Sequence, residues 1–224
     1  MSDLVLSLFP GIGMLDLAFE REGFCIVRGP DVLWGGDIHD FHPPAGKFDG
    51  VIGGPPCQAF SPIGNVNRAR YGDDSVMPDL IPEFARCVNE SSPTWWLMEN
   101  SPFAYAPFEP CCRVEIDNAW LGERQARRRA FWSNLRLHIE TPCFGNQQPE
   151  RTITSKGSVD WKGSRAKQGS HSVEEMLELQ GLPRDWLEQQ PWKLQAKKKC
   201  VANGVPIPMG RAVARAVRKA LGKA

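Results

Sequence analysis

The stretch LVLSLFPGIG, residues 4–13, decides the fold of this 224-residue chain. Its apolar first half predicts a buried β-strand, and the Pro-Gly-x-Gly that follows predicts a tight turn. Helical spacing over residues 14–22 then predicts a helix directly after the turn. A buried strand, a glycine turn and a helix in this order are typical of an α/β protein with a parallel sheet.

The same alternation of strands and helices continues along the chain. The pattern predicts further strands at 24–27, 48–52 and 94–98, and helices at 80–90 and 206–221. A mostly parallel sheet covered on both faces follows, with the loops after its strands on one rim. Only about 16 residues separate Asp31 from the strand at 48, so the usual crossover helix is expected to be very short or absent.

The composition of the chain excludes several classes of protein. With 42% hydrophobic and 24% charged residues, the chain can bury one core and at most a small additional lobe. It has no run of about 18 apolar residues and no signal-peptide pattern, so we expect a cytoplasmic protein without a membrane partner. Its seven cysteines are odd in number and lack paired spacing, which predicts reduced thiols and no metal site.

The net charge of +1 conceals an uneven distribution. Residues 1–120 hold 7 Lys and Arg against 17 Asp and Glu, a balance of −10, whereas residues 121–224 hold 20 against 9, a balance of +11. Residues 133–170 also lose periodicity and carry a basic stretch at 156–167. This pattern is typical either of a lobe that contacts phosphates or of a solvated insertion.

The glycine turn and two acidic positions together indicate a nucleoside cofactor. Gly11 and Gly13 would allow close approach of a ligand to free main-chain amides. Asp31 is predicted to end the second strand, where a carboxylate can bind ribose hydroxyls. Asp37 and Ile38 are predicted to end a possible short third strand. Taken alone, Asp31 is equally well explained as a turn residue.

Two segments predict reactive side chains on the rim where the strands end. In GGPPCQAFS, residues 53–61, two prolines fix a loop that is too polar for an ordinary core cysteine, so Cys57 is a candidate nucleophile. A thiol with a pKa of about 8.5 is only slightly ionised at neutral pH, so we expect a nearby positive end or cation to activate it. Glu99 and Asn100 end an apolar strand on the same rim, although capping of the next helix would also explain them.

The segment QARRR, residues 125–129, predicts a polar face beside these groups. If its backbone is extended, Gln125, Arg127 and Arg129 point to one side. Such a face suits a base oxygen and phosphates. A basic surface strand would give the same pattern.

These segments resemble, in order, the motifs of the DNA cytosine-C5 methyltransferases. The resemblance covers almost the entire chain and rests on residues 8–13, 54–61, 99–100, 125–129, 178–183 and 203–206. It implies an α/β, Rossmann-like S-adenosyl-methionine-dependent methyltransferase fold with a mostly parallel central sheet and a small irregular target-recognition lobe. We expect three parts: a catalytic and cofactor-binding core (1–132), a target-recognition region (133–171) and a C-terminal segment that completes the core (172–224).

The resemblance implies an enzyme that methylates C5 of cytosine in DNA. Cys57 would attack C6 of a flipped cytosine, and Glu99 would hold or protonate N3. Arg127 and Arg129 would steady the base and the backbone. The covalent adduct makes C5 nucleophilic toward the methyl group of S-adenosyl-methionine, which leaves S-adenosyl-homocysteine as product.

The resemblance also assigns binding residues and partners. Those implied for S-adenosyl-methionine are Phe9, Gly11 and Gly13 at the methionine part, Asp31 at the ribose, Asp37 and Ile38 at the adenine, and Pro55, Asn203 and Val205 around the pocket. Those implied for DNA are Gln58, Ser61, Gln125, Arg127 and Arg129. A loop at about residues 59–71 is expected to close over the DNA. The expected partner is double-stranded DNA, with no metal, and the protein is expected to be a monomer.

The chain departs from the family pattern in several places. Ser7 replaces an acidic residue, and three others differ from the usual Gly, Val and Gly: Met14, Ser101 and Ala202. Gly204 is expected to add backbone freedom at the edge of the cofactor pocket. The recognition region has only about 40 residues, so we expect a compact prokaryotic or bacteriophage enzyme with a recognition sequence of about two or three bases. Either genome protection or restriction-modification would suit such an enzyme.

Two other interpretations stay open at this point. A branch of the family with a similar core methylates cytosine in transfer RNA, and the basic second half of the chain fits either nucleic acid. A DNA-binding protein with a degenerate catalytic site would also keep the fold. Assays on matched DNA and RNA, with a Cys57→Ala variant, separate the three interpretations.

Overall fold

The computed structural model describes residues 3–57, 60, 69–70, 72, 78–109, 111–142, 150, 152–154, 157–159 and 171–223. Its strands are β1 Leu4–Leu8, β2 Cys25–Arg28, β3 Gly50–Gly53, β4 Trp95–Asn100, β5 Cys112–Asp117, β6 Arg128–Ser133, β7 Thr152–Thr154 and β8 Gly157–Val159. Its α-helices are α1 Met14–Glu20, α2 Ile81–Ser91, α3 Val173–Leu179, α4 Leu194–Asn203 and α5 Ile207–Ala220. Short 3-10 turns at Val32–Trp34 and Asn118–Leu121 follow β2 and β5.

The strands of the core form one six-stranded sheet in the order β2-β1-β3-β4-β6-β5. β2, β1, β3 and β4 are parallel, and β6 runs antiparallel to both β4 and β5. The register pairs Leu6 with Val51 and Ile52 with Leu97, so the central strands carry apolar side chains on both faces. The predicted α/β fold with a mostly parallel sheet is confirmed.

Helices cover both faces of this sheet. α1 and α5 pack against each other on one face, where Phe19 and Trp95 belong to a first buried cluster. α2 covers the other face, where Phe84 and Trp132 belong to a second buried cluster. The amphipathic helix predicted at the C-terminal end is confirmed, and its apolar stripe packs into the first cluster through Met209, Val213, Val217 and Leu221.

The segment between β2 and β3 differs from the secondary structure predicted from the sequence. β2 ends at Arg28 rather than at Asp31, and Asp37 and Ile38 follow a 3-10 turn rather than a third strand. The strand prediction was wrong because the Asp31 side chain caps that turn and Gly35 ends it with a φ of 83°, so the chain reverses before it can extend. The absence of a crossover helix is confirmed for this segment, which has only the 3-10 turn between its flanking strands.

A third buried cluster joins the C-terminal segment to the start of α1. It contains Leu177 of α3, Val201 of α4 and Ile153 of β7, together with Met14. α3 begins with a capping box in which the Ser172 side chain accepts a hydrogen bond from the main chain of Glu175 and the Glu175 side chain accepts one from Ser172. The division of the chain at residues 132 and 171 stays a prediction. None of the described helices is long and apolar enough to cross a membrane.

Candidate active site

Side chains that the sequence places far apart meet at the carboxyl ends of the parallel strands. Gly11 follows β1, Asp31 follows β2, Cys57 follows β3 and Glu99 lies at the end of β4. Arg129 reaches the same rim from the start of the antiparallel β6. Parallel strands impose this arrangement, because all their carboxyl ends lie at one edge of the sheet.

The turn after β1 leaves free space beside its main chain. Phe9, Gly11 and Gly13 have φ values of 57°, 55° and 77°, in the left-handed region that residues other than glycine rarely adopt. A Cβ built on Gly11 would meet nothing within 4 Å. An open glycine turn of this kind fits the close approach of a cofactor to the backbone.

Asp31 is held in place by two main-chain hydrogen bonds. Its Oδ2 accepts from the N–H of Gly11 at 2.8 Å, and its Oδ1 accepts from the N–H of Leu33 at 2.8 Å. The indole N–H of Trp34 donates to the carbonyl of Gly11 at 2.8 Å, which ties the loop to the turn a second time. Each oxygen of Asp31 keeps further lone pairs, so the carboxylate can still accept from ribose hydroxyls.

Asp37 and Ile38 differ in their exposure. The carboxylate of Asp37 is exposed and accepts hydrogen bonds from the main chain and the imidazole of His39, at 3.0 and 2.8 Å. These bonds, the main-chain one first, lower the pKa of Asp37. Ile38 is buried in the second cluster, so its side chain belongs to the core and a ligand could reach only its main chain.

Asn100 connects the end of β4 with the loop that carries Cys57. Its fully buried side chain donates through Nδ2 to the carbonyl of Pro55 at 3.0 Å and accepts through Oδ1 from the N–H of Ser101 at 2.8 Å. Cys57 stands two residues beyond Pro55 and is partly buried. Sequence reasoning named Asn100 without assigning it a role. The available signal was its place directly after Glu99 at a strand end.

Glu99 lies between the Cys57 loop and β6. Its Oε1 is 2.8 Å from Nε of Arg129, an ion pair between two mostly buried side chains, although none of the described residues makes an aligned hydrogen bond to that oxygen. A Cβ on Gly54 would lie 2.9 Å from Oε2, so the carboxylate rests directly on the loop backbone. Burial raises the pKa of Glu99, and Arg129 and Arg127 oppose the shift. A carboxyl with a raised pKa can hold a proton for transfer to a ring nitrogen.

Arg127 is almost completely buried, and its described partners are main-chain carbonyls. Its guanidinium donates to Ala202, to Gly204 at 3.0 Å and to Ile153 at 3.4 Å. Burial and the neighbouring Arg129 lower the pKa of Arg127, whereas the negative charge of Glu99 is the larger of the effects that oppose this shift. The activating cation expected near the thiol stays a prediction. Its contact with DNA stays a prediction.

The alternation predicted for residues 125–129 is confirmed. Gln125 and Arg127 are buried and Arg129 is partly buried, whereas Arg128 is exposed. The exposed guanidinium of Arg128 lies 5.5 Å from the ring of Trp120, on the other side of the strand. An extended backbone thus separates a buried polar face from a solvent face.

Two fully buried carboxamides border this polar face. The side chains of Gln125 and Asn118 have no hydrogen-bond partner among the described residues. The N–H of Asn118 bonds to the carbonyl of Arg127 at 3.0 Å, so both carboxamides belong to the same neighbourhood. An unpaired buried amide costs about 1–3 kcal/mol, and such groups call for a functional explanation. Sequence reasoning missed Asn118.

Asn203 and Val205, which the resemblance assigns to the cofactor pocket, flank Gly204, for which the predicted backbone freedom was wrong. Asn203 ends α4 and is exposed, whereas Val205 is buried in the first cluster. Gly204 between them has φ −68° and ψ 160°, which any residue adopts, so extra backbone freedom is not its role. A Cβ there would instead overlap the sulfur of Met14.

Several predicted contacts fall outside the described residues. Gln58 and Ser61 are among them, together with most of the loop at 59–71 and of the basic stretch at 156–167. Within the part of the chain that the structure describes, no group of three or more His, Cys, Asp and Glu side chains could hold a metal ion.

The fold as a whole is that of the methyltransferases. The Entamoeba histolytica methyltransferase EhMeth superposes with a TM-score of 0.63 at 12% identity, over 99% of each chain. An Escherichia coli prophage protein described as a DNA modification methyltransferase superposes with a TM-score of 0.64 at 14% identity, over 99% of this chain and 100% of the other.

Part of the chain is similar in sequence to one family of methyltransferases. Residues 34–109, which include Cys57 and Glu99, match the family model "C-5 cytosine-specific DNA methylase". Type II methyltransferase M.NgoPII of Neisseria gonorrhoeae is 32% identical over 173 residues, or 61% of this chain and 49% of the relative. Type II methyltransferase M.FnuDI of Fusobacterium nucleatum is 34% identical over 112 residues, which are 43% of this chain and 31% of the relative. The chain is therefore similar over residues 34–109 to the C-5 cytosine-specific DNA methylases and over longer stretches to Type II methyltransferases, of whose length it spans about half or less.

Proposed function

We propose that this protein is a DNA (cytosine-5-)-methyltransferase that uses S-adenosyl-methionine. The observation that carries the proposal is the position of Glu99 against Gly54, at the base of the loop that presents Cys57. A thiol and a carboxyl with a raised pKa on one rim are the two groups that methylation of cytosine C5 needs. The family match over both residues supports the same reaction.

The chemistry requires covalent attack because cytosine C5 is otherwise unreactive. The thiolate of Cys57 forms a bond to C6, the C5–C6 π electrons move toward C4, and N3 takes a proton from Glu99. Bound S-adenosyl-methionine supplies an electrophilic methyl group, to which C5 then bonds. Loss of the C5 proton to a base reforms the C5–C6 double bond, expels Cys57 as thiolate and returns the N3 proton to Glu99.

The two arginines would hold these reactive groups in place. Arg129 keeps the Glu99 carboxylate at the rim through the 2.8 Å ion pair. Arg127 would hold the end of α4 beside the site through its hydrogen bonds to the carbonyls of Ala202 and Gly204. The target base must leave the duplex to reach a thiol at the end of a strand.

The cofactor site would lie beside the glycine turn. Open space next to Gly11, the fixed carboxylate of Asp31 and the exposed carboxylate of Asp37 support binding of the methionine, ribose and adenine parts respectively. The other residues proposed to line the site are Phe9, Gly13, Ile38, Pro55, Asn203 and Val205.

The partner is proposed to be double-stranded DNA. We propose contacts through Gln58, Ser61, Gln125, Arg127 and Arg129, a recognition sequence of about two or three bases and a monomeric, metal-independent enzyme in the cytoplasm. Bisulfite sequencing of DNA from expressing cells reports the sequence context. A single strict site of about six base pairs would refute the short recognition sequence.

The decisive experiment measures methyl transfer from radiolabelled S-adenosyl-methionine to unmethylated genomic DNA and to transfer RNA. We expect label in DNA and none in RNA. Cys57→Ala should abolish transfer while still binding S-adenosyl-homocysteine, whereas Cys112→Ala, another partly buried cysteine, should remain active. Activity in Cys57→Ala would refute the covalent mechanism, label confined to RNA would favour the transfer-RNA enzyme, and an inactive wild type that binds DNA would favour the degenerate protein.

A further inference from the structure

The turn that carries Asp37 and Ile38 needs a support other than a helix. In a parallel sheet the crossover between strands that follow one another along the chain is ordinarily a helix that packs on the sheet. Between β2 and β3 this chain has only a 3-10 turn. The rest of the segment packs against the second cluster, to which α2 also contributes. Ile38 is part of that cluster, and Phe41 packs against it.

Arg86 of α2 binds both ends of this turn. Its Nη2 donates to the carbonyl of Ile38 at 2.7 Å, and its Nη1 donates to the carbonyl of Phe41 at 3.0 Å. The turn itself is closed by a hydrogen bond of 3.2 Å from the N–H of Phe41 to the carbonyl of Ile38. One guanidinium therefore holds the residues that directly follow Asp37.

The guanidinium is oriented by two carboxylates on its own helix. Nε of Arg86 lies 2.8 Å from Glu83, and Nη1 lies 2.8 Å from Glu90. These side chains are only about a quarter to a third exposed, so water screens the ion pairs less than at an open surface. A lysine could not reproduce the arrangement, because its single ammonium lacks the planar set of donors that reaches two carbonyls and two carboxylates at once.

We propose that Arg86 is a positioning residue of the cofactor site, which holds the turn of residues 38–41 so that the Asp37 carboxylate faces the adenine of S-adenosyl-methionine. This inference rests on the proposed function, because it takes Asp37 as the adenine contact. Arg86 itself does not touch the cofactor. It acts through two main-chain carbonyls, in place of the missing crossover helix.

The first test is the affinity for S-adenosyl-homocysteine, measured by isothermal titration calorimetry. We expect Arg86→Gln and Arg86→Lys to raise its Kd about tenfold, the scale of one lost charge-assisted hydrogen bond. The KM for S-adenosyl-methionine should rise in step, while kcat at saturating cofactor and the Kd for DNA stay within about twofold. Arg113→Gln is the matched control. Arg113 also pairs with a glutamate, Glu115, and donates to a carbonyl, that of Pro102 at 3.0 Å, but it lies on β5.

The second test separates positioning from general loosening of the fold. In an Asp37→Ala background, Arg86→Gln should cause little further loss of cofactor affinity, because no carboxylate remains to be placed. Unchanged affinity in both Arg86 variants would overturn the inference, and so would additive losses in the double variant. Failure of the wild-type protein to bind S-adenosyl-homocysteine would instead refute the proposed function itself.

Discussion

The side chain of Met14 packs directly against the backbone of Gly204, so a Cβ on Gly204 would overlap the sulfur of Met14. Met14 begins α1 directly after Gly13, and the carbonyl of Gly204 accepts a hydrogen bond of 3.0 Å from Arg127. The contact therefore joins the proposed cofactor turn to an arginine of the proposed active site. It also explains how a large residue is accommodated at position 14, where the family pattern has glycine.

This relationship predicts strong coupling between substitutions at the two positions. Gly204→Ala should lower the free energy of unfolding by about 1–3 kcal/mol through overpacking and Met14→Ala by about 2–5 kcal/mol through lost burial, and the double variant should lose clearly less than the sum of the two. Urea denaturation of the two single variants and the double variant gives the coupling energy. Met176→Ala, another buried methionine of the third cluster, should simply add to Gly204→Ala. Additive losses for Met14 as well would contradict the contact.

The raised pKa of Glu99 predicts a pH-dependent effect of Glu99→Gln. The ordinary value is 4.5, and burial raises the pKa in the folded state, so folding favours the protonated carboxyl. The resulting stabilisation is fully present below the unfolded-state pKa and is lost as the pH rises through the folded-state pKa. Glu99→Gln does not titrate and should therefore gain stability relative to wild type as the pH rises from the ordinary value of 4.5 through the folded-state pKa. Urea midpoints of both proteins across this range provide the check.

A constant difference in stability across that range would mean that the pKa of Glu99 is not raised. Methyl transfer by Glu99→Gln should fall by about 100-fold or more at every pH, because the amide cannot deliver a proton to N3. Retained activity would remove Glu99 from the mechanism.

Asn100→Ala should impair catalysis by releasing the Cys57 loop. The substitution removes the donor to Pro55, so we expect kcat/KM to fall by about tenfold or more and the free energy of unfolding by about 1–3 kcal/mol. Asn134→Ala is the control. Asn134 also donates to one carbonyl, that of Thr94, and accepts from one main-chain N–H, but at the opposite end of β4. Equal losses of activity in both variants would show that Asn100 has no special connection to Cys57.

Apolar replacements of the two unpaired carboxamides should be tolerated by the fold. Gln125→Met and Asn118→Leu remove buried polar atoms without partners, so we expect the free energy of unfolding to stay unchanged or rise by about 1 kcal/mol. DNA affinity, measured by fluorescence anisotropy, should fall for Gln125→Met if that side chain contacts the DNA. A loss of stability above about 2 kcal/mol would indicate that the carboxamides are hydrogen-bonded in the folded protein.

Much of the candidate site follows from the sequence because parallel strands leave little choice. Residues 4–13, 53–61 and 94–100 each contain the carboxyl end of a predicted parallel strand. The loops that follow these strands must therefore meet at one edge of the sheet. The alternation of residues 125–129 likewise follows from an extended backbone. The prediction of a short third strand ending at Asp37 and Ile38 was wrong because Asp31 caps a 3-10 turn and Gly35 ends it, so the chain reverses before a strand can form.

The order of strand, turn and helix, the shared rim and the candidate nucleophile Cys57 all follow from the sequence. The fold reveals three contacts that no local pattern predicts: Arg127 donates to the carbonyl of Gly204, Arg86 donates to the carbonyl of Ile38, and Met14 packs where a Cβ on residue 204 would lie. The physical reason is distance along the chain. Local pattern dictates backbone direction and side-chain alternation, whereas these contacts join segments from about 45 to about 190 residues apart and depend on how the helices pack on the sheet.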